Sequence, residues 1–555
     1  MICRTTFSRL TTFALVVAAL LVSASASRAA ATNVYIAQSA TGTADGSSCT
    51  AAQPVSFFNN ASNWGGGSTQ IGPGTTVHIC GTITAGTNTS GLFVQGSGSS
   101  GQPITILFEP GAIVQSPRFG GAPDGSCSTC DAGIAVNNFN YITIDGNNTG
   151  IVQNTANGSS LANHSNSIGV YLWGDHLLLK NLTVQNIYNN SSAEPDSQPG
   201  FPTADVRVSG LATNVEVCNN TLNNAHVGIW SASEGPSFVV GPTGCTNSEA
   251  AAGINYYNNF LSDHGWMMNI GGHDYVNIYQ NEMTDWANWF FPTGTPYHLD
   301  GLLIASGAGN IIHAYVYSNY IHGDFVNGSP TGFIFCTYGV SGSGSSCTIF
   351  NNLLVGTGHT STGGQGIYFH SSDGNPLGPH FIYNNTLFGF GTGEIYMDGD
   401  STQTYTVKNN IFVSNHGSYI SINSTPRANF NSDNNVFFGG RNLGGNTGGF
   451  PGGENLAAWQ GQGEDAHSVE ADPNLSSTWH IQSSSSPAVQ KGANLTSLNL
   501  NPLDAGKPSV VGLKALSDGI VRPSGAAWDV GAYPFTGTTV SAPPAPPTGL
   551  TVKVN

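Results

Sequence analysis

Two histidines and an acid are spaced for proton transfer: His264, and then His298 and Asp300 in the run His298-Leu299-Asp300-Gly301. An imidazole beside a carboxylate is tuned near neutrality and serves as general base or acid. The competing reading has Asp300 bonding its own turn while the histidines fill an edge. His370 and Asp398 repeat the same pairing further along. Asp274 and Asp300 are the acids that would hold a Ca²⁺, although no D-x-D-x-D loop accompanies them. Asp263, Asp285 and Asp324 read more simply as solvated turn acids.

Whether these groups meet depends on a repeat. VEVCNNTL at 215, INYYNNFL at 254, VNIYQNEM at 276, AYVYSNYI at 314, CTIFNNLL at 347, HFIYNNTL at 380 and YTVKNNIF at 405 each run strand, Asn, strand. Most follow a second short strand opened by Gly: GIAV at 133, GVYL at 169, GIWS at 228, GWMM at 265, GLLI at 301, GFIF at 332 and GIYF at 366, with Glu394 in the Gly place of EIYM. Units too small to bury an apolar face alone must stack, so the pattern predicts an all-β solenoid with an Asn ladder. Taking Gly as the common register, alternation sends Gly+1 and Gly+3 inward and Gly−1, Gly+2 and Gly+4 outward. His264 and Asp300 then share the Gly−1 column on adjacent coils, ~4.8 Å apart. Tyr171, Trp230, Met267, Leu303, Ile334, Tyr368 and Tyr396 take Gly+2. Trp173, Asn269, Ala305, Cys336, His370 and Asp398 take Gly+4, and ADVRV at 204 turns Arg207 outward.

Composition agrees and narrows the partners. Of 555 residues 73 are Gly and only 8% are charged, too few for helices with wet faces, while 39% hydrophobic content excludes disorder. A formal charge of −17 without a Lys/Arg cluster excludes a nucleic-acid binder. Residues 1–30, with Arg4, Arg9, Arg28 and an apolar run from Phe13 to Val22, read as a secretory signal peptide, and no later run is long enough to span a membrane. Eight cysteines remain, an even number suited to disulfides in an exported protein. Nearest-neighbour pairing would join 49 with 80, 127 with 130, 218 with 245 and 336 with 347. The remaining organisation reads as a repeat domain over 31–440, a tail over 441–536 that covers the last coil, with His467, Asp472 and Asp529 structural, and a Pro-rich stretch over 537–555.

From about residue 70 to 440 the sequence resembles the right-handed parallel β-helix of the pectin-lyase-like superfamily. The resemblance implies a secreted protein, monomeric, that acts on an extracellular polysaccharide. It leaves the reaction open among elimination, hydrolysis and binding without catalysis. Outward rings suit the C–H faces of sugars, so Tyr171, Trp173, Trp230, Tyr368 and Tyr396, with Arg207, His370 and Asp398, are the candidate substrate contacts. Elimination is slightly favoured, because hydrolysis needs two carboxylates about 5 to 10 Å apart and Asp398 lies ~14 Å from Asp300.

Overall fold

Short apolar alternations broken by Asn-Asn bury nothing alone, and in the computed structural model they stack into coils. The structure describes residues 30–120, 131–157, 162–163, 166–188, 203–231, 254–271, 275–286, 298–306, 312–325, 329–338, 345–357, 364–371, 379–398, 402–423, 425, 427–445, 450, 452–498 and 522–537. The expected signal peptide and most of the Pro-rich stretch lie outside them, as do Asp274, Cys127, Cys130 and Cys245 and the side chain of His298.

Each coil contributes to three faces. The first holds strands such as Thr213–Cys218, Ile254–Tyr257 and Val276–Tyr279, the second short strands such as Glu282–Thr284 and Tyr320–His322. The third holds Ala204–Val208, the end of Thr221–Ser231, the end of Phe260–Ile270, then His298–Ser306, Gly332–Tyr338, Gln365–Ser371, Gly393–Asp398 and Ser418–Ile422. Strands pair in parallel from coil to coil. The architecture is the expected all-β, right-handed parallel β-helix, the hand that connections between parallel strands take.

The core is stacked file by file. Val206, Ile229, Met268, Leu302, Ile334, Ile367, Ile395 and Ile420 follow one another in register, all essentially inaccessible. Between the first and second faces runs the predicted ladder: Asn220, Asn259, Asn281, Asn319, Asn352, Asn385 and Asn410 each donate from Nδ2 to Oδ1 of the next, at 2.9–3.2 Å, ending on Asn435. The residue before each ladder Asn turns the corner in the left-handed conformation (Asn219 φ 56°, Asn258 φ 53°, Gln280 φ 55°). Asn tolerates that geometry better than most residues, which explains the doubled Asn of the repeat.

Both ends are closed. At the start Phe58, on the helix Val55–Phe58, and Trp64 cover the first coil, and Cys49–Cys80 fastens this segment. At the far end Trp459, on Leu456–Gly461, packs against Phe430 and Phe450. Asp465 terminates the ladder by accepting from Asn435 Nδ2 (2.8 Å) and Trp459 Nε1 (2.8 Å). The tail acids are structural: Asp529 accepts from the backbone of Gln490 and Phe535, Asp472 from that of Asn474, and Asp433 pairs with His467. Cys336–Cys347 is a second disulfide, and Cys218 is also disulfide-bonded.

Candidate functional site

The third face decides which sequence candidates meet. Its entry column runs Gly169, Asp205, Gly228, Met267, Gly301, Phe333, Gly366, Glu394, as the pairs on either side of each residue fix. Where a Gly opens the strand it is the column residue at Gly169, Gly228, Gly301 and Gly366, but not on two coils. In GWMM the column residue is Met267, two places after Gly265; in GFIF it is Phe333, one place after Gly332. Met267 and Ile334 are accordingly core residues, and so is Cys336, while Phe335 and Thr337 are the ones facing out. Side chains at the column turn inward at the corner, and Gly survives there where a neighbour's backbone or apolar group needs the room. A Cβ on Gly301 would lie 2.1 Å from the Phe333 carbonyl oxygen.

This register separates the expected catalytic trio. Asp300 is opposite Trp266, not His264, and both Asp300 and His264 are completely buried. The backbone carbonyl of Asp300 accepts from Trp286 Nε1 at 2.8 Å. His264 follows the left-handed corner residue Asp263, pairs in register with the core residue Ala225, and points into the lumen. There its Nε2 meets Asp205 Oδ2 at 2.8 Å. Gly228, between the two coils, leaves the passage open, since a Cβ on it would come within 3.3 Å of His264 Cε1. Burial raises Asp205 well above the ordinary carboxylate range and lowers His264 to about 3. The pair carries no net charge in the core and is inaccessible to substrate. The expected outward, side-by-side placement of His264 and Asp300 is thus corrected: both lie buried, and in different columns. Backbone His298 pairs with Ser329 at the start of its strand. Among the described residues no group of three or more His, Cys, Asp or Glu is arranged to hold a metal, so Asp300 finds no assembled Ca²⁺ ligand set there.

The outward aromatic column divides into two parts. Tyr171, Arg207 and Trp230 are in register on successive coils, with the guanidinium carbon 4.3 Å from the Trp230 ring centre and 5.9 Å from that of Tyr171. Tyr171 and Arg207 are buried, so this sandwich is packing, while Trp230 and Trp173 are half-buried at its margin. Further along, Phe335, Tyr368 and Tyr396 continue the column. Phe335 and Tyr368 stack at 4.7 Å, and Tyr396 tilts against Tyr368 at 5.2 Å.

Beside these rings the next outward column places His370 opposite Asp398. His370 Nδ1 lies 3.6 Å from Asp398 Oδ2, an attractive distance but longer than a hydrogen bond, and the side chains are 35% and 31% exposed. Asn423 Nδ2 donates to Asp398 Oδ1 at 2.8 Å and fixes the carboxylate from the following coil. Burial, with Asp398 and Tyr396 adding to it, pushes the Tyr368 phenol up to about 12; burial and then Asp398 raise Tyr396. Both phenols stay protonated at neutral pH. The open site is therefore an aromatic platform edged by an imidazole, a carboxylate and two O–H donors. Phe335 and Asn423 were missing from the sequence reading, Phe335 because Gly332 misled the register and Asn423 because the repeat was followed only as far as the EIYM strand, one coil short of Ser418–Ile422.

Under this platform Glu394 fills the column above Gly366, completely buried, with neither carboxyl oxygen hydrogen-bonded. Burial raises it to about 8, partly offset by Ser414 and the backbone of Phe390 and Gly389. Because the folded value exceeds the ordinary 4.5, its stabilising contribution is complete below about pH 4.5 and is lost as pH rises through about 8. Glu394→Gln should therefore raise the unfolding midpoint at pH 9 relative to the wild type and change it much less at pH 5. Thermal unfolding across that range checks this; an equal effect at both pH values would refute it.

No known protein family and no curated protein matches the chain. Among solved structures it is similar to pectate lyase Pel9A, at TM-score 0.40 and 14% identity over 92% of this chain and 98% of that one. It is also similar to a GH136 lacto-N-biosidase from Eubacterium ramulus, at TM-score 0.34 and 12% identity over 70% of this chain and 68% of that one. A third is a PL6 family alginate lyase, AlyGC, at TM-score 0.37 and 11% identity over 82% and 58%. Likeness at this level carries no conclusion about chemistry.

Proposed function

We propose that the protein is a secreted, carbohydrate-active β-helix enzyme that binds an extracellular polysaccharide across its third face and cleaves it by β-elimination. One observation carries the reading: half-exposed Tyr368 and Tyr396 lie in register beside His370 and Asp398. Sugar rings stack on the phenol faces while their hydroxyls reach Asn423 and Asp398. His370 takes the proton beside the uronate carboxyl, the electrons form the C4–C5 double bond, and the C4–O bond breaks. A protonated phenol supplies the leaving oxygen with its proton and regains one from solvent. Elimination suits this set better than hydrolysis, because Asp398 is the only carboxylate in the two outward columns among the described residues, and paired-carboxylate hydrolysis needs two. Secretion is supported by the disulfides Cys49–Cys80 and Cys336–Cys347, and no described helix is long and apolar enough to cross a membrane.

The test is mass spectrometry of soluble products from a panel of uronate-containing and neutral polysaccharides. Unsaturated oligomers, lighter by one water than hydrolytic ones, are expected; full-mass products would mean hydrolysis, and no products a binding protein. In the same assay Tyr368→Ala with Tyr396→Ala should weaken polymer binding by about tenfold or more, each stacked ring contributing roughly 1 kcal/mol.

A further inference from the structure

The corner between the second and third faces carries a second concavity, on coils well before the His370 platform. Here Ile142–Asn154, Asp175–Gln185 and Thr221–Ser231 pass one above another, and the corner opens into a groove of ≈ 460 Å³. That volume lies within the range of small-ligand sites. Gln153, Thr155, Asn157, Asn186, Tyr188 and Asn224 line it, and among these described residues the phenol is the only ionisable side chain.

The amides are held in place by one another. Gln185 Nε2 donates to Gln153 Oε1 (2.9 Å), and Gln153 Nε2 donates to Gln115 Oε1 (3.2 Å). Asn186 and Asn224 turn the corner on adjacent coils in the left-handed conformation, φ 56° and 67°, and Asn224 Nδ2 donates to Asn186 Oδ1 at 3.1 Å. That bond leaves the Asn186 amide hydrogens as donors, next to an Asn224 Oδ1 that is shielded from solvent and accepts no hydrogen bond. The exposed Asn186 amide donors match the oxygen of a ring hydroxyl, which accepts. The half-buried Tyr188 ring offers the apolar contact that a sugar's C–H face needs. An ionised ligand would lose hydration here without meeting an opposite charge on any of these described residues.

We propose that this groove is a second, non-catalytic carbohydrate subsite that takes an uncharged oligosaccharide. Trp230, further along the same strand as Asn224, is four coils from Tyr368, so the two sites lie roughly 20 Å apart along the stack. The assignment stands whatever reaction the open face performs.

Calorimetric titration of the full chain with neutral gluco-, xylo- and manno-hexaoses tests it, in a Tyr368→Ala, Tyr396→Ala background that removes the open platform. Saturable binding of at least one of them is expected in that background. It should fall by about tenfold in Tyr188→Ala and in Asn186→Gly, the second of which keeps the left-handed backbone. In the otherwise wild-type chain neither change should alter the rate at which products appear from a soluble substrate. Failure of every neutral hexaose to bind at millimolar concentration overturns the proposal. So does binding that both groove variants leave intact, or competition by a uronate oligomer alone. Loss of cleavage in the background, with groove binding retained, would bear on the platform and not on the groove.

Discussion

His370→Ala is expected to lower kcat/KM for polymer cleavage by about 10²–10⁴-fold, the usual contribution of a positioned general base. Its effect on stability should be small, because the side chain is 35% exposed and makes only loose contacts, 3.6 Å to Asp398 and 5.9 Å between ring centres with Tyr368. Asp398→Asn preserves the shape and the acceptor for Asn423 but removes the charge facing the imidazole, so a smaller loss of about tenfold or more is expected. The two losses should not add, since Asp398 acts through His370. Product-release rates on the polysaccharide that gives unsaturated oligomers, with unfolding midpoints measured alongside, decide the matter. A folded His370→Ala protein with wild-type turnover would remove the dyad from the mechanism. If turnover fell only together with the unfolding midpoint, the residue would be a packing group.

Sequence alternation put Tyr368, Tyr396, His370 and Asp398 on the outward side of the third face, as the register has them, while the same rule misplaced His264 and Asp300. Two coils decide this. Where GIYF and EIYM continue the register faithfully, counting from Gly366 or Glu394 gives the outward residues directly. In GWMM and GFIF the inward column is filled by Met267 and Phe333, and the adjacent Gly lies outside it. A Gly is conspicuous in a sequence, but space in the lumen is shared between coils, and a Met on one coil can replace the Gly of the next. The Asn ladder was easier to read because its constraint is backbone conformation followed by an amide chain, and only Asn satisfies both well. Burial of Tyr171 and Arg207 was not legible at all. Alternation gives the direction of a side chain from its own strand, while accessibility depends on whatever else packs there.

That same register makes His264→Ala a damaging change in the core. The Asp205–His264 pair is fully buried, with the two side chains on coils separated by Gly228. Deleting the imidazole leaves the neutral Asp205 carboxyl in a cavity without its partner, and an unsatisfied buried polar group costs about 1–3 kcal/mol, to which the cavity adds. Asp205→Asn should cost far less, since the amide still donates to Nε2 and the buried carboxyl is gone. In an Asp205→Asn background, His264→Ala should therefore cost less than it does alone. The pH dependence has a defined sign. His264 is lowered to about 3 from an ordinary 6.5, so its contribution is intact above about pH 6.5 and is lost as pH falls toward 3, where the unfolded chain takes up the proton first. Denaturant unfolding of wild type and His264→Ala at pH 7 and pH 5 should show the gap between them narrowing at the lower pH. A His264→Ala protein that unfolds like the wild type yet cleaves nothing would return the imidazole to the catalytic role its spacing first suggested.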